Sequence, residues 1–315
     1  MIRWGIGILA LSAALVAGCG GNNSAPPNAG DAAGAKAIGV TLLARTDPFY
    51  HDLEESMQEE AKAKGYTLDV QDGGRDLSKQ LSQVETFIAQ KKDAIVICPV
   101  NSEGVVRAIE KANAANIPVF TADIRAAGGD VVSHVASDNV AGGRLAGDYL
   151  AKLLNGKGNV IILDYPTVAS VQERTKGFME AISKYPDIKI VERPSGGGER
   201  AKSMAQMENM LQKHPNLDGV FAINDSTALG ALKAIEDAGN THIVMVGYDG
   251  DKDARAAILR GSALKADAVQ YPREIGKQTI DTIAAYFEGQ NPPEFVPVKV
   301  GIIDQESLKA EAAKQ

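Results

Sequence analysis

From Ile38 onward, short runs of β-branched and aliphatic residues alternate with amphipathic stretches. Ile38–Leu43, Leu68–Val70, Ala94–Cys98 and Ile117–Thr121 are separated by segments with helical spacing, such as Leu77, Leu81, Val84 and Ile88. A second set follows at Val160–Leu163, Ile188–Val191, Val220–Ile223 and Ile243–Val246. Near-continuous apolar runs fit strands covered on both faces, and strands alternating with helices of about 12–18 residues build parallel sheets. Right-handed crossovers then bring all strand C-termini to one edge, which is where ligands bind in open α/β sheets.

The two sets read as copies. Ala94–Val100 ends at Asn101 and Ile117–Ala122 at Asp123; Gly219–Ile223 ends at Asn224 and Ile243–Tyr248 at Asp249. The Asn-to-Asp spacings are 22 and 25 residues, so each half offers an amide and a carboxylate at matching strand ends. Asn and Asp are common strand-to-turn residues in any protein, but two instances in register predict a repeat with facing polar edges.

The segment before the first strand reads as an address. Met1-Ile2-Arg3 is a short basic start, Gly5 to Ala17 is almost wholly apolar, and Ala17-Gly18 precede Cys19. This is the plan of a secretory signal peptide over residues 1–18, and the run is shorter than the roughly 20 residues a membrane span needs. Leu15-Val16-Ala17-Gly18-Cys19 also resembles a bacterial lipobox, which implies lipidation of Cys19. Residues 19–36 are Gly, Asn, Ala and Pro with almost no charge, a composition that cannot bury a core and serves as a flexible tether. A membrane-anchored body outside the cytoplasm is expected.

Several function classes fall away. The net charge is −7, and removing residues 1–18 takes away Arg3 and no acid, so no basic stripe is available for nucleic acid. Two cysteines cannot make a disulfide framework, and Cys98, within an apolar run, reads as a small buried hydrophobe. There is no phosphate loop, no His-Glu-x-x-His and no nucleophile elbow. His51, His134, His214 and His242 lack metal-ligand spacing. Neither an enzyme, nor a metal site, nor a cofactor is expected.

Four groups of residues are familiar together: Thr46-Asp47-Pro48-Phe49-Tyr50, Val131 to Asn139 leading into Gly142-Gly143, Gln172 to Phe178, and Val246-Gly247-Tyr248-Asp249-Gly250. With them the chain from Ala37 to Gln315 resembles the periplasmic ribose-binding proteins, the sugar receptors of ABC importers with the two-lobed type I periplasmic binding protein fold. The resemblance implies two Rossmann-like α/β lobes with parallel sheets joined by a three-crossing hinge. The N-terminal lobe is expected at 37–137 plus 271–298 and the C-terminal lobe at 138–270 plus 299–315, with crossings near Ser137-Asp138, Gln270-Tyr271 and Val298-Lys299. Phe49 and Tyr50 are implied as ring faces beside Asp47. Asp123, Arg174, Asn224, Asp249 and Gln270 are implied to bind hydroxyls, and Tyr248 to line the wall. Asn101 and Arg125 are further candidates.

That set suits a sugar, whose hydroxyls each donate and accept and are costly to bury unpaired. The chain departs from the ribose pattern at Asp47, where the family has Asn, and at Ile124, where it has Arg. Arg125 is one residue late and, on a strand, faces the other way. An aromatic near Gly198 is also lost. The implied ligand is therefore a monosaccharide or sugar alcohol other than ribose. The implied partners are an ABC permease and its ATPase subunits, with the binding protein itself a monomer. A receptor that presents ligand to a chemotaxis or sensor-kinase partner is the alternative output. A LacI-type repressor would need a helix-turn-helix where the tether lies.

Overall fold

The computed structural model describes residues 35–314. The signal segment 1–18, Cys19 and the tether up to residue 34 lie outside the described residues. The first half runs β1 (Ala37–Leu42), α1 (Pro48–Ala63), β2 (Thr67–Asp72), α2 (Leu77–Ala89), β3 (Ala94–Ile97), α3 (Val106–Ala114), β4 (Val119–Ala122) and β5 (Ser133–Ser137). The second runs α4 (Asn139–Leu153), β6 (Lys157–Leu163), α5 (Ala169–Ile182), β7 (Asp187–Glu192), α6 (Arg200–Lys213), β8 (Gly219–Ala222), α7 (Asp225–Asp237), β9 (Val244–Asp249), α8 (Lys252–Leu259) and β10 (Leu264–Val269). The chain closes with α9 (Pro272–Phe287), β11 (Phe295–Val298), β12 (Gly301–Asp304) and α10 (Gln305–Ala312).

Two six-stranded sheets form, ordered β11-β5-β4-β3-β1-β2 and β12-β10-β9-β8-β6-β7. The orders correspond strand for strand, so the internal repeat is a repeat of topology. One pairing departs from the all-parallel expectation. β11 runs parallel to β5, whereas β12 runs antiparallel to β10. Both follow from one path: β11 heads toward the edge between the lobes, and the next segment keeps that heading into the second lobe, against strands that point the other way.

The chain passes between lobes three times, at Asp138, at Gln270-Tyr271 and at Lys299-Val300. Helix α4 packs on α5 and against β9 and β10, while α9 packs on α1 and against β4 and β5. Local chemistry makes the first two changes abrupt. Asp138 caps α4 by accepting from the Ala141 amide at 2.9 Å, and Pro272 opens α9 with a pre-set φ and no orphaned N–H. The Asp138 amide donates to Val298 O at 2.9 Å, tying the first crossing to the third.

The central strands β3, β4 and β8 are buried at every residue, as parallel strands covered on both faces must be. Phe178 and Phe221 stack at 4.4 Å in the second lobe, and Phe87 fills the first beneath Gly39, where a Cβ would reach the ring. Cys98, just past β3, is fully buried, with no disulfide partner among the described residues. Among the described residues no helix is long and apolar enough to cross a membrane, and no cluster of His, Cys, Asp and Glu is grouped to hold a metal ion.

Candidate functional site

The C-terminal ends of both sheets face one cleft of about 910 Å³. The strand ends beneath it are strained. Asp123, directly after β4, has φ 63°, and Asp249, the last residue of β9, has φ 119°. Positive φ in a non-glycine residue costs about 1–3 kcal/mol and persists where the surroundings over-determine it. Here it turns two carboxylates out of corresponding strands into the cleft, one from each lobe.

The second lobe supplies the charged cluster. Arg174 lies on the buried face of α5 and is 4% exposed. Its Nε donates to Asn139 Oδ1 at 2.9 Å, and Nη1 donates to Ile223 O at 2.8 Å and sits 3.5 Å from Asp249 Oδ1. Tyr248 lies beneath the guanidinium, 4.0 Å from ring centroid to Cζ, so the plane is held from behind by a cation–π contact. Gln270 donates to Asp249 Oδ1 at 2.7 Å. Burial pushes the Asp249 carboxyl up to about 7, with Arg174 and Gln270 pulling it back. Asn224 caps α7 through Oδ1, accepting from the Thr227 amide at 2.9 Å, and donates through Nδ2 to Gly198 O at 3.3 Å.

The first lobe supplies rings and the carboxylates of Asp47 and Asp123. Pro48 starts α1, which carries Phe49 and Tyr50 on its buried face, packed edge to face at 5.2 Å. The Tyr50 hydroxyl donates to Asp123 Oδ2 at 2.6 Å. Burial raises the Asp123 carboxyl, while Arg174 across the cleft and the Tyr50 hydrogen bond lower it. Asp123 Oδ1 and Gln270 Oε1 are buried without a hydrogen-bond partner among the described residues. A buried acceptor left unpaired costs about 1–3 kcal/mol, so each calls for a donor in the cleft.

Asp47, Phe49, Tyr50, Asp123, Arg174, Asn224, Asp249 and Gln270 all line this cleft, as does Ile124. Asn101, Arg125 and Tyr248 are not on its wall. The Asn101 carboxamide accepts from the Glu103 and Gly104 amides at 3.1 and 2.7 Å, closing its own loop. Arg125 lies over the Phe295 ring at 5.0 Å, in the bend past the end of β4 and off the cleft wall. Tyr248 is fully buried behind Arg174 and acts on the cleft through it.

Among the cleft residues that escape the sequence reading are Arg75 and Tyr165. Arg75 Nη2 pairs with Asp47 Oδ2 at 2.5 Å, and Tyr165 packs beside the Arg75 guanidinium at 5.9 Å. Each follows a strand, in Gly73-Gly74-Arg75-Asp76 and Leu163-Asp164-Tyr165-Pro166. A Gly-rich or Pro-flanked turn at the cleft edge is the signal that could have marked them. The lobes also touch directly: the Ser102 amide donates to Thr167 O at 3.1 Å, and the Ala169 amide to Ser102 Oγ at 2.9 Å.

Two α/β lobes with a polar cleft between strand C-termini, joined by three crossings, define a type I periplasmic binding protein. Comparison with known proteins gives the family: residues 38–291 match the periplasmic binding protein domain, and the chain belongs to it. It is 35% identical over 267 residues to the ribose import binding protein of Escherichia coli, covering 84% of this chain and 90% of that one. It is 34% identical over 256 residues to a xylitol-binding protein of Mycolicibacterium smegmatis, covering 80% of this chain and 73% of the relative. A crystal structure of an ABC transporter solute-binding protein from Mycobacterium smegmatis with bound glycerol superposes with a TM-score of 0.83 at 35% identity, covering 88% of this chain and 96% of that chain. The protein is a solute-binding protein of the ABC-transporter type and not an enzyme.

Proposed function

We propose that this protein captures a monosaccharide or sugar alcohol between its lobes and delivers it to an ABC permease, anchored outside the cytoplasm by lipid on Cys19. The observation that carries the ligand class is the convergence of Asp123, Arg174, Asp249, Asn224 and Gln270 beside the Phe49 ring in one cleft. Carboxylates accept from hydroxyls, a guanidinium fork donates, amides do both, and an aromatic ring covers a C–H face. Relatives that import ribose or bind xylitol support the same class.

Ribose is not the proposed ligand. Ile124 presents an apolar wall beside Asp123, and Asp47 is already bonded to Arg75 and, at 3.4 Å, to Ser226. A site built for one hydroxyl pattern strongly rejects a mismatch, because its own polar groups go unpaired. Another pentose, a hexose or a polyol is the reading these contacts favour. The three crossings form the hinge, with 37–137 plus 271–298 moving against 138–270 plus 299–315. Ligand favours closure only through contacts better made in the closed state, which groups from both lobes provide.

A thermal-shift screen of the purified chain against pentoses, hexoses, polyols and amino acids tests this. Ligand at 100 times its dissociation constant stabilises by about 2.7 kcal/mol, which is readily visible. A large rise with one sugar or polyol other than ribose is expected. Ribose as the tightest ligand overturns the specificity reading, and a response confined to amino acids overturns the ligand class. The Cys19→Ala variant is expected to leave the membrane fraction for the soluble one; unchanged membrane association removes the lipid anchor.

A further inference from the structure

Arg75 does more than line the cleft. Its backbone stands in a rigid turn. Gly74 and Arg75 both have positive φ, 61° and 59°. The Arg75 amide donates to Leu43 O at 2.9 Å, the Gly74 amide donates to Asp72 Oδ1 at 2.9 Å, and Asp76 caps α2. Strain of this kind in a bulky residue needs a reason. The side chain supplies one, because it leaves its own lobe. Nη1 donates to Gly197 O at 3.1 Å and Nη2 to Gly198 O at 3.2 Å, while Nη2 also holds Asp47 Oδ2.

Gly197 and Gly198 sit between β7 and α6 of the second lobe, both at positive φ. A Cβ on Gly198 would meet Arg75 Nη1 and Tyr165 Cδ1, each at 3.3 Å. The guanidinium plane and the Tyr165 ring therefore fill the space a side chain at 198 would take. Both carbonyls and the Tyr165 ring belong to the lobe that Arg75 does not. These contacts exist only when the cleft is shut.

We propose that Arg75 is the latch and the roof of the cleft: it bonds second-lobe carbonyls on closure, occupies Asp47, and turns its remaining N–H groups to ligand oxygens. The hydrogen-bond count supports the last part. A guanidinium has five N–H donors, and the bonds to Gly197, Gly198 and Asp47 use one hydrogen of Nη1 and both of Nη2. Nε–H and one hydrogen of Nη1 are left. The ligand thus meets donors at this end of the cleft, where free Asp47 would offer acceptors, so Arg75 selects which hydroxyl pattern is satisfied.

The inference rests on the solute-binding reading for its ligand arm only, because closure can be followed without ligand. The amides of Ser102 and Ala169 donate across the cleft, so their hydrogen exchange in the whole, ligand-free chain reports how often the lobes part. Arg75→Ala is expected to speed exchange at both amides about tenfold and leave α4 and α9 unchanged. Arg75→Lys keeps the charge without the fork and is expected to exchange as the Ala variant does. Asp47→Asn in the Arg75→Ala background removes the carboxylate left without its cation and is expected not to restore protection.

In the second arm, dissociation of the tightest binder among D-xylose, L-arabinose, D-galactose, D-ribose and xylitol is followed by stopped flow. Arg75→Ala is expected to raise the off-rate about tenfold with little change in on-rate, the usual signature of a lost closed-state contact. Exchange and off-rate both within twofold of wild type overturn the latch. Full rescue by Lys overturns the forked bridge, and rescue by Asp47→Asn overturns the role of the carbonyl bonds. If none of these probes binds wild type, the sugar or polyol returned by the thermal-shift screen takes their place, and the exchange arm decides Arg75 in either case.

Discussion

The two lobes share a sheet order but divide the chemistry unequally. The first lobe brings Phe49, Tyr50 and the carboxylates of Asp47, which is paired with Arg75, and Asp123, whose second oxygen has no partner among the described residues. The second brings a guanidinium already fixed on three sides, by Asn139, Ile223 O and the Tyr248 ring. Both lobes bury titratable groups, and burial raises the Asp123 carboxyl of the first lobe too. In the first lobe His134 is held neutral, pushed down to about 3 by burial and by Arg125. In the second, burial pushes Asp249 up to about 7 and Asp267 up to about 8, and Asp225 rises well above the usual range beside Asp267. Preorganisation costs stability where charge is buried, so a grip built in one lobe and a ring-and-acceptor face in the other spreads that cost.

The sharpest test of this division is Arg174→Ala. It removes the prearranged donor and leaves Asp249 buried without its cation, so ligand affinity is expected to fall by about 3 kcal/mol, the scale for one partner of a buried charge pair. Calorimetric titration measures it; a loss under tenfold would place the grip elsewhere. Next comes Gly143→Ala. Its Cβ would land on the Arg174 carbonyl of α5, a backbone atom, whereas a Cβ at Gly39 of the first lobe meets only the Phe87 ring. Overpacking of the α4–α5 contact is expected to cost about 2 kcal/mol of stability and to weaken binding through α5. Chemical denaturation checks this, and Gly39→Ala costing more than Gly143→Ala would break the comparison.

Tyr50→Phe should have a smaller effect. It strips Asp123 of its one side-chain donor in a nearly closed site, and about 1–2 kcal/mol of affinity is expected to go, with the fold kept. The smallest effect is on pH dependence. A depressed His134 contributes stability that is fully present above its ordinary value of 6.5 and is lost as pH falls toward 3. The raised carboxylates contribute stability that is present below about 4 and is lost as pH rises through about 7 and 8. Between pH 6.5 and 8 the carboxylates alone set the slope of this set, and the melting temperature is expected to fall by a few degrees. Asp267→Asn should flatten that decline; a melting temperature rising with pH in this window would refute the assignment.

Much of this was readable because it is local. Ile38–Leu43, Ala94–Cys98 and Val220–Ile223 announce buried strands by composition alone, and all three lie in sheet centres. Asp123 and Asp249 stand out because they end corresponding strands, a placement that periodicity exposes. Leu264–Val269, Phe295–Val298 and Gly301–Asp304 gave no such signal. β11 and β12 are four-residue edge strands, and Lys265 and Asp267 interrupt the apolar pattern of β10. Their pairing comes from the sheet edges they complete.

By itself the chain's alternation of apolar run and amphipathic helix determined a doubled parallel α/β body with polar residues at its strand ends, since side-chain period and strand-end chemistry act over a few residues. Tertiary structure decided the rest. It set Tyr248 behind Arg174 instead of on the wall, turned Arg125 toward Phe295, reversed β12, and sent Arg75 across to Gly197 and Gly198, 122 and 123 residues away in sequence. Contacts at such separation depend on how two lobes meet, and no local pattern of residues encodes that geometry.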